Sequence, residues 1–456
     1  MSQSGSKSGP REPSLRYSWF ALAILFVLAL SNYIDRTILS IMQVALKRDL
    51  HLSDTQLGTL TGLSFAIFYT TLALPVARLA DRVARKYVLA GALTVWTVMT
   101  AASSLAGGYV SLLACRVGVA AGEAGCVPAT HSLISDYFPR HRRATAMAVW
   151  GLALPLGGML GFAVGGQLTA AVGWRRAFLF VGLGGLVLVP VILAFLVEPK
   201  RGRFDGAPAG ERSGPVRTTA ESLRLLWNLR SYRYLVIGEA LQAWAQNGMM
   251  SWNAPFYSRV HHMPLAQLAT WLALITGLGG AAGTFLGGAL AERMAKTDVR
   301  WYMRVPAIAA FLTVPFALGQ YFAGDVYLSL ILAIVPATMV NVYMAPGNAV
   351  SQSLVPADMR AFTSAVFVLV VSIGGLGLGP TVIGALSDLF IHRFALGDAS
   401  LRYALPTVVV PATAAALLFW RSSTHLTAEL KPLHRVVEPN LPVVEEGLAE
   451  AVSPAR

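Results

Sequence analysis

The sequence predicts an all-α membrane protein: twelve transmembrane helices in two pseudo-symmetric bundles of six. Three observations carry that expectation. Of 456 residues, 55% are hydrophobic and only 13% are charged, about half the charge of an ordinary soluble protein. The mean hydropathy of +0.58 fits a chain that uses lipid as its solvent. Apolar runs of about 20 residues, enough to cross ~30 Å of hydrocarbon, recur along its length, and a short pattern repeats between the two halves.

A basic tail, 1–16, precedes helix 1 at 17–44. That run is too long for a signal-peptide core and lacks a small-residue cleavage site, so it is expected to be retained. Helix 2 follows at 54–77, helix 3 at 87–106 and helix 4 at 109–134. Helix 4 holds both cysteines, Cys115 and Cys126, about 16 Å apart along a helix axis and out of disulfide reach. Helix 5, at 144–170 with its lead-in, carries Gly151, Pro155, Gly157, Gly158, Gly161, Gly165 and Gly166, small residues that let helices approach closely. Helix 6 at 176–197 completes a first bundle, 17–197. The linker, 198–231, is rich in Lys, Arg, Gly, Pro and Ser, and a short basic amphipathic helix is expected near Glu221–Arg230 at the membrane surface.

The second bundle, 232–421, takes helices at 232–257, 265–290, 302–322, 326–350, 361–386 and 402–421. Its helix 11 mirrors helix 5, with Gly374, Gly375, Gly377, Gly379, Pro380 and Gly384. A polar tail, 422–456, ends the chain. With both termini in the cytoplasm, 27 of the 36 Lys+Arg fall on inner connections, 7 on outer loops and 2 within helices, as the positive-inside rule requires. The net charge of +13 is therefore an inner-surface charge and implies no nucleic-acid partner. The repeat sets LADRVARK (Leu79–Lys86) after helix 2 against LAERMAK (Leu290–Lys296) after helix 8, with Asp81 and Glu292 211 residues apart. Parallel repeats of this kind suit two bundles rocking about a mid-membrane site.

Ionisable groups within spanning helices are costly and are functional candidates by default. Asp35 and Arg36 stand in helix 1, and Arg116 and Glu123 stand in helix 4, seven residues apart and hence on one face. Counting 1.5 Å per residue from each helix midpoint places Asp35, Arg36 and Arg116 at a similar depth with Glu123 slightly nearer the cytoplasm, so all four can belong to one buried cluster. Asp35 and Glu123 are the expected proton-coupling acids, with Arg36 and Arg116 as their charge partners, because an acid whose distance from an arginine changes can load and release a proton. A fixed ion pair holding helix 1 to helix 4 is the simpler reading of the same residues.

The second half offers Glu239, Gln246, Asn247 and Trp244 on helix 7, with Asn341 and Asn348 on helix 10, as candidates for binding substrate. Amides and aromatics suit an apolar wall with a few hydrogen-bonding groups, although each amide could equally bond helix to helix. Asp81, Arg82 and Arg85, where helix 2 leaves the membrane, are candidates for a cytoplasmic gate or for plain topology signals. No phosphate-binding loop occurs, so the chain encodes no ATP-driven step. No metal-ligand spacing is present. Neither an enzyme nor a cofactor is expected.

The stretch after helix 2, Ala77-Arg78-Leu79-Ala80-Asp81-Arg82-Val83-Ala84-Arg85-Lys86, resembles the signature of the major facilitator superfamily, with alanine at both glycine positions. Leu52–Arg82, the Asp35–Arg36 pair, Glu123 and Ser132–Gly158 resemble bacterial members of its Spinster family. That resemblance implies the major facilitator fold, a monomer in the bacterial inner membrane and alternating access coupled to protons. It also implies an amphipathic, lipid-like small-molecule substrate such as a lysophospholipid or sphingoid compound. Superfamily carriers of small organic anions share the Tyr-Ile-Asp-Arg and Glu-Ala-Gly stretches and form the alternative; a non-transporting receptor or a lipid scramblase forms another.

Overall fold

The computed structural model describes residues 14–204, 218–356 and 359–437, and every regular element among them is helical. The N-terminal tail to residue 13, the linker part 205–217 and the tail from 438 lie outside the described residues. The first passage is α1 (Leu15–Leu50), started by Ser14, whose side chain accepts the Tyr17 N–H. The second is α2 (Asp54–Thr61) and α3 (Leu63–Arg82), with a capping box of Ser53 and Gln56 at its start and a break at Gly62. The third is α4 (Arg85–Ala102). The fourth is α5 (Tyr109–Glu123) and α6 (Cys126–Tyr137). The fifth and sixth are formed by α7 (Arg140–Gly151), α8 (Ala153–Leu186) and α9 (Leu188–Phe195).

The short α10 (Thr219–Asn228), opened by a capping box of Thr218 and Glu221, stands where the sequence predicts a surface helix. The second bundle follows with α11 (Arg230–Arg259), α12 (Leu265–Ala295) and α13 (Trp301–Phe322). The tenth passage is α14 (Val326–Met339) and α15 (Met344–Ser353). The eleventh is α16 (Arg360–Val371), a π-helical segment Ser372–Gly377 and α17 (Leu378–Phe394). The twelfth is α18 (Ser400–Ala404) and α19 (Val409–Val437), which continues past Arg421, where the sequence ends the last span.

Ten described stretches are long and apolar enough to cross a membrane. Two of the twelve predicted passages are hidden in that number. His141–Phe195 is 55 residues, about 80 Å as a single helix and far longer than a bilayer. Gly173, at φ +80, breaks its helical path into two crossings. α11 has the length, but Arg233, Glu239, Gln242, Gln246, Asn247 and Asn253 lower its hydropathy.

The bundles meet at the end opposite the one where α1 begins. That starting end bears Arg82, Lys86, Arg230 and the other basic connections and is called the basic end below; its opposite is the far end. α2 packs on α17, α8 on α12 and α1 on α11. Glycine makes the first of these approaches possible, where a Cβ on Gly58 would stand 2.5 Å from the Pro380 carbonyl oxygen, and beside it a Cβ on Gly62 would stand 2.6 Å from the carbonyl oxygen of Gly377 in the π segment. One hydrophobic cluster, with Ile38, Met42, Leu57, Trp252, Phe256 and Ile383, runs through both bundles. Separate clusters fill each bundle, around Trp96 and Phe138 in the first and Tyr232 and Phe419 in the second.

Candidate functional site

The four charged residues of the first bundle converge. Arg36 Nε donates to Glu123 Oε2 at 2.7 Å. Arg36 also lies 4.8 Å from the ring centroids of both Phe65 and Tyr69, which stack on each other along α3. Arg116 faces the same Phe65 ring at 5.4 Å. Asp35, Arg116 and Glu123 are buried, while the Arg36 side chain keeps 21% of its surface. α5 reaches this position because Gly122 lets it lie against α4, where a Cβ would meet the Trp96 backbone nitrogen at 2.7 Å.

The cluster is unevenly satisfied. Asp35 Oδ1, Glu123 Oε1 and Arg116 Nε have no hydrogen-bond partner, and neither do Trp96 Nε1 and Thr100 Oγ1 of α4, which stand beside Asp35. Two acids and two bases thus share one close ion pair among the described residues. Guanidinium groups over aromatic faces are held by cation–π attraction of about 0.5–2 kcal/mol, so Arg36 is positioned by Phe65 and Tyr69 as well as by Glu123. Sequence reasoning missed this pair of rings; their i, i+4 spacing on α3 was the available signal.

The second-half candidates divide. Gln246 Nε2 donates to Asn341 Oδ1 at 2.7 Å, and the Tyr343 hydroxyl donates to Gln246 Oε1 at 3.0 Å. Both amides line an open cavity between the bundles, along with Asn253, Gln320 and Thr276. Leu154, Pro155 and Gly158 of α8 close it from the first bundle, and methionines and aliphatic residues make up much of its wall. No charged residue lines it. Asn247 and Asn348 donate to carbonyls one turn back on their own helices, at 2.8 and 2.9 Å. Trp244 packs beside the core, and Glu239 is buried against Gly347; neither these two nor Asn247 and Asn348 line the cavity. Gln320 was missed because an amide inside an otherwise apolar helix carries no pattern of its own.

At the basic end, Arg85 is buried within its own bundle. It bonds Asp136 of α6, Ser132 and Glu198, at 2.5, 2.7 and 2.7 Å. Arg82 is exposed, and the Asp81 side chain lies outside the described residues. Among the described residues, every polar bond between the bundles is nearer the far end. Asp54 is fully buried and receives Lys47 Nζ at 2.5 Å, Arg259 Nη1 at 2.9 Å and Ser387 Oγ at 2.6 Å. Arg259 continues to Asp398 at 3.1 Å and Ser400 at 3.2 Å. Asp388 accepts the N–H groups of Asp54 and Thr55 at 3.0 and 2.7 Å, placing a carboxylate from the second bundle at the start of α2. This latch was not foreseen, since its partners across the bundles are 205 to 334 residues apart and each charge alone reads as a loop charge.

Comparison with known proteins places this geometry. Residues 25–380 match the Major Facilitator Superfamily. A bacterial homolog of the human lysosomal transporter Spinster, solved inward-facing and unoccupied, superposes with a TM-score of 0.81 at 27% identity over 93% of this chain and 99% of its own. An MFS-type efflux pump of Mycolicibacterium smegmatis is 32% identical over 425 residues, 93% of this chain and 96% of the relative. A hexuronate transporter of Bacillus subtilis is 26% identical over 66% of this chain and 72% of its own length.

Proposed function

This chain belongs to the major facilitator superfamily and is Spinster-like, a membrane transporter and not an enzyme, and on that footing we propose that it couples proton movement to transport of an amphipathic small molecule by alternating access. The observation that carries this reading is the unequal cluster in the first bundle: Glu123 holds Arg36 at 2.7 Å while Asp35 and Arg116 keep unpartnered buried atoms. A carboxyl in that setting changes its proton affinity when an arginine moves. One proton crossing 100 mV gains ~2.3 kcal/mol, and each pH unit adds ~1.4 kcal/mol. Together these can hold a solute gradient of a hundredfold or more.

The cavity supports the amphipathic substrate. Its walls are Leu, Met, Pro, Ala and Val with neutral amides between them, which fits a lipid-like body whose polar head is held by hydrogen bonds. Lysophospholipid and sphingoid compounds are the first classes to try. The M. smegmatis relative is an efflux pump, which favours export in exchange for protons. We take the chain to act as a monomer in a bacterial inner membrane with both termini in the cytoplasm, the side that the positive-inside rule gives to the basic connections. In that orientation the closed far end faces outward and the conformation is open inward, as in the Spinster homolog.

Small organic anions form the second reading. The hexuronate transporter favours it, and Arg36 and Arg116 could meet a carboxylate, but the cavity supplies no cation.

The deciding measurement is transport in proteoliposomes with an imposed pH gradient, using lysophospholipid, a sphingoid base and hexuronate in parallel. Gradient-driven accumulation of one of the first two, lost in Glu123→Gln, is the expected result. Movement that never exceeds equilibrium for any solute would overturn the proposal.

A further inference from the structure

A buried acid without a hydrogen-bonding or ionic partner also lies outside the cluster of the first bundle. Glu239, on α11, is 2% exposed, and its Oε1 has no hydrogen-bond partner. The carboxyl is seated in the gap that Gly347 leaves on the facing turn of α15, close enough that a Cβ on Gly347 would overlap Oε1. The neighbouring α11 residues are equally enclosed: a Cβ on Gly238 would stand 3.0 Å from the Phe419 ring of α19, and one on Gly374 of the π segment would stand 3.0 Å from Ala240 Cβ.

Among the described residues, no cation pairs with this carboxyl. The titratable groups that act on it are Tyr232 of its own helix and Tyr343 beside α15, both neutral hydroxyls. The charged residues of the elements around α11 are engaged elsewhere. Glu429 of α19 accepts the N–H groups of Arg230 and Ser231, and His425 stacks on Tyr234. Arg36 and Asp35 of α1 are in the first-bundle cluster, Lys47 of α1 and Asp388 of α17 are in the far-end latch, and Arg402 of α18 lies at the far end. Glu292 and Arg293 of α12, Glu221 and Arg224 of α10, and Arg360 of α16 lie at the basic end, and none makes an ion pair with Glu239 among the described residues. Burying an ionised carboxylate without a partner is among the most expensive arrangements available to a protein, and neutralisation is the usual escape.

The same helix face joins Glu239 to the cavity. Residues 239 and 246 are seven apart on α11, two turns along one side. On the opposing segment, Tyr343 and Gly347 are one turn apart, with the Gly347 N–H donating to the Tyr343 carbonyl at 2.9 Å. Tyr343 bonds Gln246, and Gln246 bonds Asn341, both of which line the cavity.

We propose that Glu239 is a further proton-carrying carboxyl, housed in the second bundle against Gly347 and linked to the substrate cavity through Tyr343, Gln246 and Asn341. In the conformation described it holds its proton. Separation of α11 from α15 would admit water to the carboxyl and release that proton. The link to transport rests on the function proposed above; the protonation does not.

The test therefore reads protonation directly. Infrared difference spectroscopy at neutral pH, on the full chain in lipid nanodiscs, compares D35N/E123Q with D35N/E123Q/E239Q. A deuterium-sensitive carbonyl band of a protonated carboxyl should be present in the first and absent from the second. No such band in the first, or an unchanged band in the second, would overturn the proposal. Should E239Q fail to elute as a single species, Gly347→Ala in the same background displaces the carboxyl. The band should then shift or vanish, and a band left in place would count against the assignment. None of these outcomes depends on a known substrate, so they stand apart from any failure of the transport assay.

Discussion

Asp388 at the end of α17 accepts both the backbone N–H and the hydroxyl of Thr55, at 2.7 and 2.6 Å, and so binds the first turn of α2 in the opposite bundle. Negative charge at a helix N-terminus is favourable by about 0.3–1 kcal/mol when exposed and up to ~2 kcal/mol when partly buried. Asp388→Asn keeps the shape and loses the charge. It is expected to loosen the far end modestly: an impermeant thiol reagent should label Thr381→Cys, in a chain free of native cysteines, several times faster. Unaltered labelling would remove Asp388 from the latch.

Arg259→Ala is a harsher change. It leaves buried Asp54 with Lys47 and Ser387 only. Removing one partner of a buried ion pair costs about 3–5 kcal/mol, and ~5.5 kcal/mol is enough to invert a 1:99 equilibrium. This variant should spend much of its time open at the far end. The same Thr381→Cys labelling should rise by an order of magnitude or more, while the circular dichroism of the helices stays constant.

Gly58→Leu tests the glycine contact in the same region without touching a charge. A side chain there meets Pro380 backbone that cannot move aside. Closure of the far end should fail and substrate turnover should fall to near zero, with binding from the other side retained. Normal turnover would show that α2 and α17 need not approach this closely.

In the first bundle, Glu123→Gln and Asp35→Asn are predicted to differ. Glu123→Gln takes the anion from Arg36 and should abolish proton-driven accumulation. Asp35→Asn, at a carboxyl without a close ion pair, should leave exchange at equal concentrations intact while removing its dependence on the pH gradient. Measuring exchange and accumulation side by side checks both; preserved accumulation in either variant contradicts the coupling role.

For the cavity, Gln246→Ala and Asn341→Ala each remove one hydrogen bond of a shared pair. A neutral bond contributes ~0.5–1.5 kcal/mol, so each should weaken ligand-induced thermal stabilisation by two- to tenfold in apparent Kd. Because the residues touch, the double variant should cost less than the product of the two.

Much of this was legible in the sequence. Helix length and the basic connections gave the two bundles, and the rarity of charge singled out Asp35, Arg36, Arg116 and Glu123, which do converge. The breaks at Gly62, Ala124 and Leu152 were not legible, because each helix half still reads as part of one apolar run. Nor was the latch: Asp54 and Arg259 are 205 residues apart and only the three-dimensional fold pairs them. Amides such as Asn247 and Asn348 look alike in sequence to Gln246 and Asn341, and only the fold shows that the latter two bond each other and line the cavity.

The polarity of α11 also bears on how the protein is made. A central Asp, Lys or Arg costs ~2.5–3.5 kcal/mol during insertion into a bilayer, and α11 adds Glu239 and four amides to a stretch that already falls short in apolarity. Emerging from the ribosome, it has no stable resting place in lipid by itself. Its shelter is protein: α1 of the finished first half, and α12, which follows after a five-residue turn, Val260–Pro264. Synthesis of the second half thus depends on the first being already in place, and a chain begun at the linker would lose α11 to the aqueous side.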